Sequence, residues 1–89
     1  MFDISAIVTS KTRLLLLELF VKNEVLELGI REAARRIKSN PMLVRAELMR
    51  LESSGLLKSR KVANSIQFSL NPDCEGVSPF RRIFGVREL

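Results

Sequence analysis

The sequence predicts a mainly α chain carrying one small β-hairpin, an α+β fold in a single domain of 89 residues. Three observations carry that expectation. Apolar residues recur at helical spacing in three successive segments. They give way to strict alternation at Ser65–Leu70, where Ile66, Phe68 and Leu70 interleave with Ser65, Gln67 and Ser69. Asn40-Pro41 and Ser78-Pro79 each pair a capping residue with a proline suited to the first position of a helix.

The elements follow in order. Phe2, Ile4, Ile7 and Val8 make an apolar, irregular start with a short helical turn after Asp3. Ser10 is the expected N-cap of a first helix over residues 11–22. Leu14, Leu17 and Val21 form its stripe, and Leu15, Leu16, Leu19 and Phe20 cover most of the remaining surface. A helix apolar nearly all round is buried on more than one side. One side is the core. The other is the C-terminal helix or a second subunit. Residues 25–28 can supply a short strand, broken by Gly29. A second helix over residues 30–38 turns Ile30, Ala33, Ala34 and Ile37 inward and Arg31, Arg35, Arg36 and Lys38 outward. After a tight turn, Asn40 caps a third helix over residues 41–53, with Val44, Leu48 and Leu51 inward and Gly55 a left-handed terminator. Residues 56–62 and 65–70 pair as a hairpin around Ala63-Asn64, where Asn tolerates positive φ and Ala is a poorer choice than Gly. Asn71-Pro72 stops the second strand. A short helix over residues 78–85 carries Phe80, Ile83 and Phe84 as its apolar face, with Arg81 and Arg82 facing away.

The charge is concentrated in the middle. Residues 31–61 hold nine Lys or Arg against Glu32, Glu47 and Glu52, a net of +6, while residues 1–30 net −1 and residues 62–89 net 0. A basic bias confined to two helices and a hairpin points to a surface that meets a polyanion.

Composition also excludes. With no His, the commonest general base and metal ligand is missing. The lone Cys74 makes neither an internal disulfide nor a thiolate cluster, and fits a reducing cytosol. No acid pair, nucleophile–base set or glycine-rich phosphate loop stands out, so an enzyme is not expected, and no cofactor or metal is implied. The longest purely apolar run, residues 14–17, is far short of the roughly 20 residues that span a bilayer, so a soluble cytoplasmic protein is expected.

The order helix, helix, turn, helix, hairpin resembles a winged helix-turn-helix domain. Ile30-Arg31-Glu32-Ala33-Ala34-Arg35-Arg36-Ile37 resembles the first helix of its motif, and Asn40-Pro41 with Val44, Leu48 and Leu51 resembles its recognition helix. Leu51-Glu52-Ser53-Ser54-Gly55-Leu56-Leu57 is similar to the exit common in prokaryotic regulators, and Lys58 to Leu70 looks like the wing. Ser10-Lys11-Thr12-Arg13-Leu14 resembles the start of ArsR-like regulators, and Pro79 to Phe84 the closing helix of small wing regulators. The resemblance covers about residues 10–85, with the helix-turn-helix at 30–54 and the wing at 56–70. It departs from the pattern at Lys38 and Ala63, where Gly is usual, and at Met42, Leu43, Ala46 and Met49, where polar residues are frequent.

The resemblance implies a transcriptional regulator that binds double-stranded DNA as a homodimer on a palindromic site, with half-sites about 34 Å apart. Asn40, Met42, Leu43, Arg45, Ala46 and Met49 are then the candidate base contacts. Arg45 suits guanine, and Met42, Leu43 and Ala46 suit thymine methyl groups. Arg31, Arg35, Arg36, Lys38, Arg50, Lys58, Arg60 and Lys61 are the candidate phosphate contacts, with Lys11 and Arg13 as possible additions. About six such contacts per dimer half would make affinity fall steeply with salt. Leu15, Leu19, Phe80, Ile83 and Phe84 are the expected dimer surface. Two readings stay open. Arg45 and Arg50 can lie on a solvated face paired with Glu47 or Glu52, and the Met42, Leu43, Ala46 and Met49 face can meet a protein partner instead of DNA.

Overall fold

Residues 4–22 contain no glycine or proline, and they form one uninterrupted helix, α1 (Ile4–Lys22). The computed structural model describes the backbone of residues 4–85 and the side chains of residues 11–85. Ser10, expected to cap a helix beginning at Lys11, therefore lies inside α1. Its cap chemistry is local, and nothing upstream breaks the helix that overrides it. Phe2 and Asp3 lie outside the described residues, as do the side chains of Ile4, Ile7 and Val8. Asn23 closes the other end, its Nδ2 donating to the Leu19 carbonyl at 2.9 Å.

The buried face of α1 is Leu16, Leu17, Phe20 and Val21. Leu14, read with Leu17 and Val21 as one stripe, is half exposed. Centring the face on Leu16 and the bulky Phe20, one turn apart, buries more apolar area than centring it on Leu14.

The strand β1 (Glu27–Leu28) is shorter than the expected residues 25–28, and Gly29 then opens α2 (Ile30–Ile37) from extended backbone. Ala33 and Ala34 are buried, and their small side chains let α1 and α3 (Pro41–Ser53) pack closely against α2. The second helix stops one residue before the expected Lys38, which takes the left-handed conformation at φ 55°. Gly takes that conformation without strain. The Ser39 N–H reaches the Ala34 carbonyl at 2.9 Å and completes the cap.

Both ends of α3 match the sequence reading. The Asn40 Oδ1 accepts from the Met42 N–H at 2.7 Å, with Pro41 at the first helical position. Gly55 terminates the helix at φ 89°, and the Leu56 N–H returns to the Leu51 carbonyl at 3.1 Å. Val44, Leu48 and Leu51 point inward as expected. Between them lies Glu47, also fully buried.

The expected two-stranded hairpin is part of a three-stranded antiparallel sheet, ordered β1-β3-β2, with β2 (Leu57–Val62) and β3 (Ser65–Leu70). The first strand adds through Glu27↔Ser69 and Leu28↔Phe68. The hairpin begins at Leu57, one residue later than expected. Its tip places positive φ on Ala63, not on Asn64. Strand alternation sets Leu28, Leu57, Ser59, Lys61, Ile66, Phe68 and Leu70 on one face. Leu28, Leu57, Phe68 and Leu70 cover the helical core. Ile66 was expected to be buried with Phe68 and Leu70 but is exposed, because the hairpin tip projects past the helices that cover its base.

The last helix, α4 (Val77–Ile83), starts before the expected Ser78 cap and stops short of residue 85. Val77 is buried, and it centres the inner face on Val77, Phe80 and Phe84. The two phenyl rings stack at 6.4 Å between centroids. Ile83, expected on that face, falls past its edge and is 68% exposed. Arg81, expected to point away, borders the face instead, and its Nε donates to Glu24 Oε1 at 2.6 Å. Among the described residues, no helix is long and apolar enough to cross a membrane.

Candidate nucleic-acid interface

Successive residues of a helix are about 100° apart, so the inward set Val44, Glu47, Leu48 and Leu51 fixes what α3 shows to solvent. Met42, Ala46, Met49 and Ser53 form an exposed ridge along the opposite side. Its centre is apolar, and Met42 is 81% exposed. Arg45 flanks the ridge on the side of Glu52, seven residues on. Glu52 accepts a hydrogen bond from the Ser59 hydroxyl of β2, so this flank faces the hairpin. Arg50 flanks the other side, below a half-buried Leu43. Asn40 sits exposed at the start of the ridge, with its oxygen engaged in the cap.

Ion pairing divides the cations into two groups. Among the described residues, Arg31, Lys38, Arg45, Arg50, Lys58 and Lys61 enter no ion pair and are all exposed. Arg45 and Arg50 therefore pair with neither Glu47 nor Glu52. Besides Arg81, four other arginines are engaged, Arg13, Arg35, Arg36 and Arg60. Arg35 and Arg36 both bond to Glu32 within α2, the latter at 3.4 Å. Arg60 grips Glu27 through Nε and Nη2 at 2.6 and 2.8 Å, tying β2 to β1 across the sheet. The hydrogen bond from Arg60 is the main reason the Glu27 carboxyl is held below the usual carboxylate range, and Arg35 does the same for Glu32. The Arg60 guanidinium is pushed above its ordinary value in return.

Arg13, a possible phosphate contact on sequence grounds, is instead clasped by Glu47. Its Nε donates to Oε2 at 2.8 Å and its Nη2 to Oε1 at 3.4 Å, chiefly through which its own pKa is raised. Glu47 is 2% exposed and Arg13 36%, so the pair lies at the edge of the α1–α3 contact. Thr12 beside it is buried, its hydroxyl 3.4 Å from that of Ser39 in the turn before α3. The role of Glu47 was missed in the sequence. The signal was there, since it lies three residues after Val44 and four before Leu51, on the inward stripe.

The hairpin does not present its three cations together. Lys61 shares the sheet face of Ser59, the face turned to α3, while Lys58 and Arg60 share the opposite face with Glu27, Gln67 and Ser69. The basic surface next to α3 is thus Lys38, Arg45, Arg50 and Lys61, and the other strand cations lie behind the hairpin. Of the expected dimer surface, Leu15 and Leu19 are half-buried and line an open cleft of about 330 Å³ with Arg36, Ile37 and Lys38. Phe80 and Phe84 pack on the core, and Ile83 is exposed.

This arrangement of helices and hairpin is a winged helix, and solved structures share it. A variant of ZitR from Lactococcus lactis superimposes with a TM-score of 0.66 at 20% identity, over 84% of this chain and 51% of that one. The antimony-specific transcriptional repressor AntR gives 0.65 at 21% identity, over 89% and 72%. HlyU from Vibrio cholerae N16961 gives 0.64 at 22% identity, over 96% and 99%. The chain spans about half the length of the ZitR chain it matches. Another ZitR variant with the same fold is solved in complex with DNA. No family model and no curated protein matches the sequence.

Proposed function

We propose that this chain is a sequence-specific, double-stranded DNA-binding transcriptional regulator of the ArsR-like kind, acting as one cytoplasmic unit without catalytic activity. The observation that carries the reading is the exposed face of α3, flanked by Arg45 and Arg50, neither of which pairs with a carboxylate among the described residues. A helix about 10–12 Å across fits the major groove. With α3 in the groove, Asn40, Met42, Arg45, Ala46 and Met49 face base edges, and Leu43 lies at the rim. Lys38, Arg50 and Lys61 reach the flanking phosphates, and Arg31 extends the contact. ZitR, which has this fold, is solved with DNA, and AntR is by name a transcriptional repressor. The antimony of that name has no counterpart here: soft metalloid sites draw on several thiolates, and these 89 residues contain one.

Two-fold palindromic sites require a dimer. Leu15, Leu19, Phe80, Ile83 and Phe84 remain the proposed contact, and the exposed Ile83 and Leu14 add unpartnered apolar area. Sedimentation velocity at micromolar concentration tests this directly. Fluorescence anisotropy against duplexes selected from a random pool tests DNA binding. The expected result is binding that weakens steeply with salt, and Arg45→Ala lowering it by about 1–3 kcal/mol if the contact with guanine is bidentate. Absence of salt-dependent binding to every duplex refutes the proposal. The exposed Met42 also supports a second reading, in which the same face docks on a protein.

A further inference from the structure

The outward face of α3 is short of hydrogen-bond acceptors. Adenine and cytosine each show an amino donor in the major groove, and reading them takes an acceptor, supplied best by Asn, Gln, Asp or Glu. None lies on the ridge. The Asn40 oxygen is engaged by the Met42 N–H, Glu52 is half-buried on the hairpin side with its Oε2 taken by the Ser59 hydroxyl, and Glu47 is buried against Arg13. The Ser53 hydroxyl is the acceptor on the ridge itself, at the last residue of the helix. The face does offer donors on its flanks, Arg45 and Arg50, and a thioether–methyl–thioether ridge of Met42, Ala46 and Met49 between them. Guanine shows acceptors in that groove, and thymine shows a methyl group.

We infer that α3 reads thymine methyl groups along this ridge and guanine at its arginine flanks, and makes no direct readout of adenine or cytosine amino groups. The inference rests on the DNA-binding reading and adds the chemical class of bases recognised. Charge favours DNA as the occupant of the ridge: Arg45, Arg50, Lys38 and Lys61 surround it with no carboxylate partner among the described residues. From Met42 to Met49 the ridge runs about 10 Å. That is the rise of about three base pairs, so each half-site has room for two or three methyl contacts.

The test is a methyl deletion in the DNA. Duplexes are selected from a random pool, and each thymine is then replaced singly by deoxyuridine, which keeps every hydrogen-bonding group and loses only the methyl. Two or three adjacent positions should each weaken binding about fourfold, the worth of one buried methyl, and the rest should be silent. Met42→Ala, at a site too exposed to endanger folding, should bring the thymine-to-uracil ratio at one of those positions close to one. Lys61→Ala should weaken binding to both duplexes alike and leave every ratio intact. Specific binding in which all uracil substitutions are silent overturns the inference while DNA recognition stands. So does a strengthening of binding by Met42→Lys with silent uracils, the result expected if the ridge serves a protein. A pool that yields no bound duplex instead fails the DNA-binding reading itself, so the two failures are distinct.

Discussion

Removing Arg13 should unfold this protein more readily than removing any other surface arginine. Arg13→Ala leaves the Glu47 carboxylate, 2% exposed, facing Val44, Leu48 and Leu51 on the inner side of α3 with no counter-charge. Breaking a buried pair in this way costs about 3–5 kcal/mol. The guanidinium is 36% exposed, so water reaches the vacated side, and the lower end, about 3 kcal/mol, is the expected value. An 89-residue domain holds only roughly 5–13 kcal/mol in all. At about 4–8 °C per kcal/mol, the melting temperature should drop by roughly 12–24 °C. Urea denaturation followed by circular dichroism measures it, the midpoint shifting at an unchanged slope. The companion variant removes both charges. Arg13→Met with Glu47→Leu should be neutral or stabilising by about 1–4 kcal/mol, because desolvating two ions consumes most of their attraction. A cost below about 1 kcal/mol for Arg13→Ala refutes the reasoning, since the carboxylate must then reach water.

Other expectations follow from local chemistry. Asn40→Ala deletes the α3 cap and should cost about 1 kcal/mol in a thermal melt, with Asn40→Asp largely preserving it. Lys38→Gly relieves a left-handed residue worth about 1–2 kcal/mol of strain, against about 0.5–1 kcal/mol of added chain entropy. It should therefore stabilise by up to about 1.5 kcal/mol, and the same holds for Ala63→Gly at the hairpin tip. Glu27 and Glu32 both titrate lower in the folded chain than their ordinary value of 4.5. Their contributions are fully present above that pH and are lost as pH falls through the lowered values. An acid titration of stability should slope downward below about pH 4.5, less steeply in Glu27→Gln than in the parent.

What the sequence disclosed depended on the range of the physics involved. The bounds of α3 were legible because Asn40-Pro41 and Gly55 act within one turn. The strand β3 was legible because alternation is intrinsic to a pleated chain. Alternation could not tell how far the helices cover the sheet, so Ile66 was misplaced. Two residues carry no period, so β1 was anticipated only loosely and its pairing with β3 not at all. Glu47 was misjudged because its charge outweighed its position, and only the partner 34 residues away makes that position tolerable. The candidate cations could be counted in the sequence, but their grouping into surfaces could not. Strand alternation sends Lys58 and Arg60 behind the hairpin, and the carboxylates of Glu27 and Glu32 claim arginines that composition alone counted as free.

That last distinction changes what salt should do to DNA binding. Counting every phosphate candidate puts eight cations on each protomer, for a slope of log affinity on log salt near about −7. Arg35, Arg36 and Arg60 already hold carboxylates. Moving them to phosphate exchanges one anion for another and strands Glu27 and Glu32, so they contribute little to counterion release. Lys58 lies behind the hairpin, so the unpaired cations Arg31, Lys38, Arg50 and Lys61 predict a slope nearer about −3.6 per protomer. Glu27→Gln then has an unusual sign. It removes one negative charge and frees Arg60, but on the face behind the hairpin, so DNA affinity at low salt should rise through long-range attraction with little change of slope. Were Glu27 needed instead to hold the hairpin in its binding pose, the same substitution would weaken binding. Anisotropy titrations of parent and variant at four salt concentrations separate the two outcomes, and a weaker variant would show that the carboxylate serves the hairpin's pose rather than screening its charge.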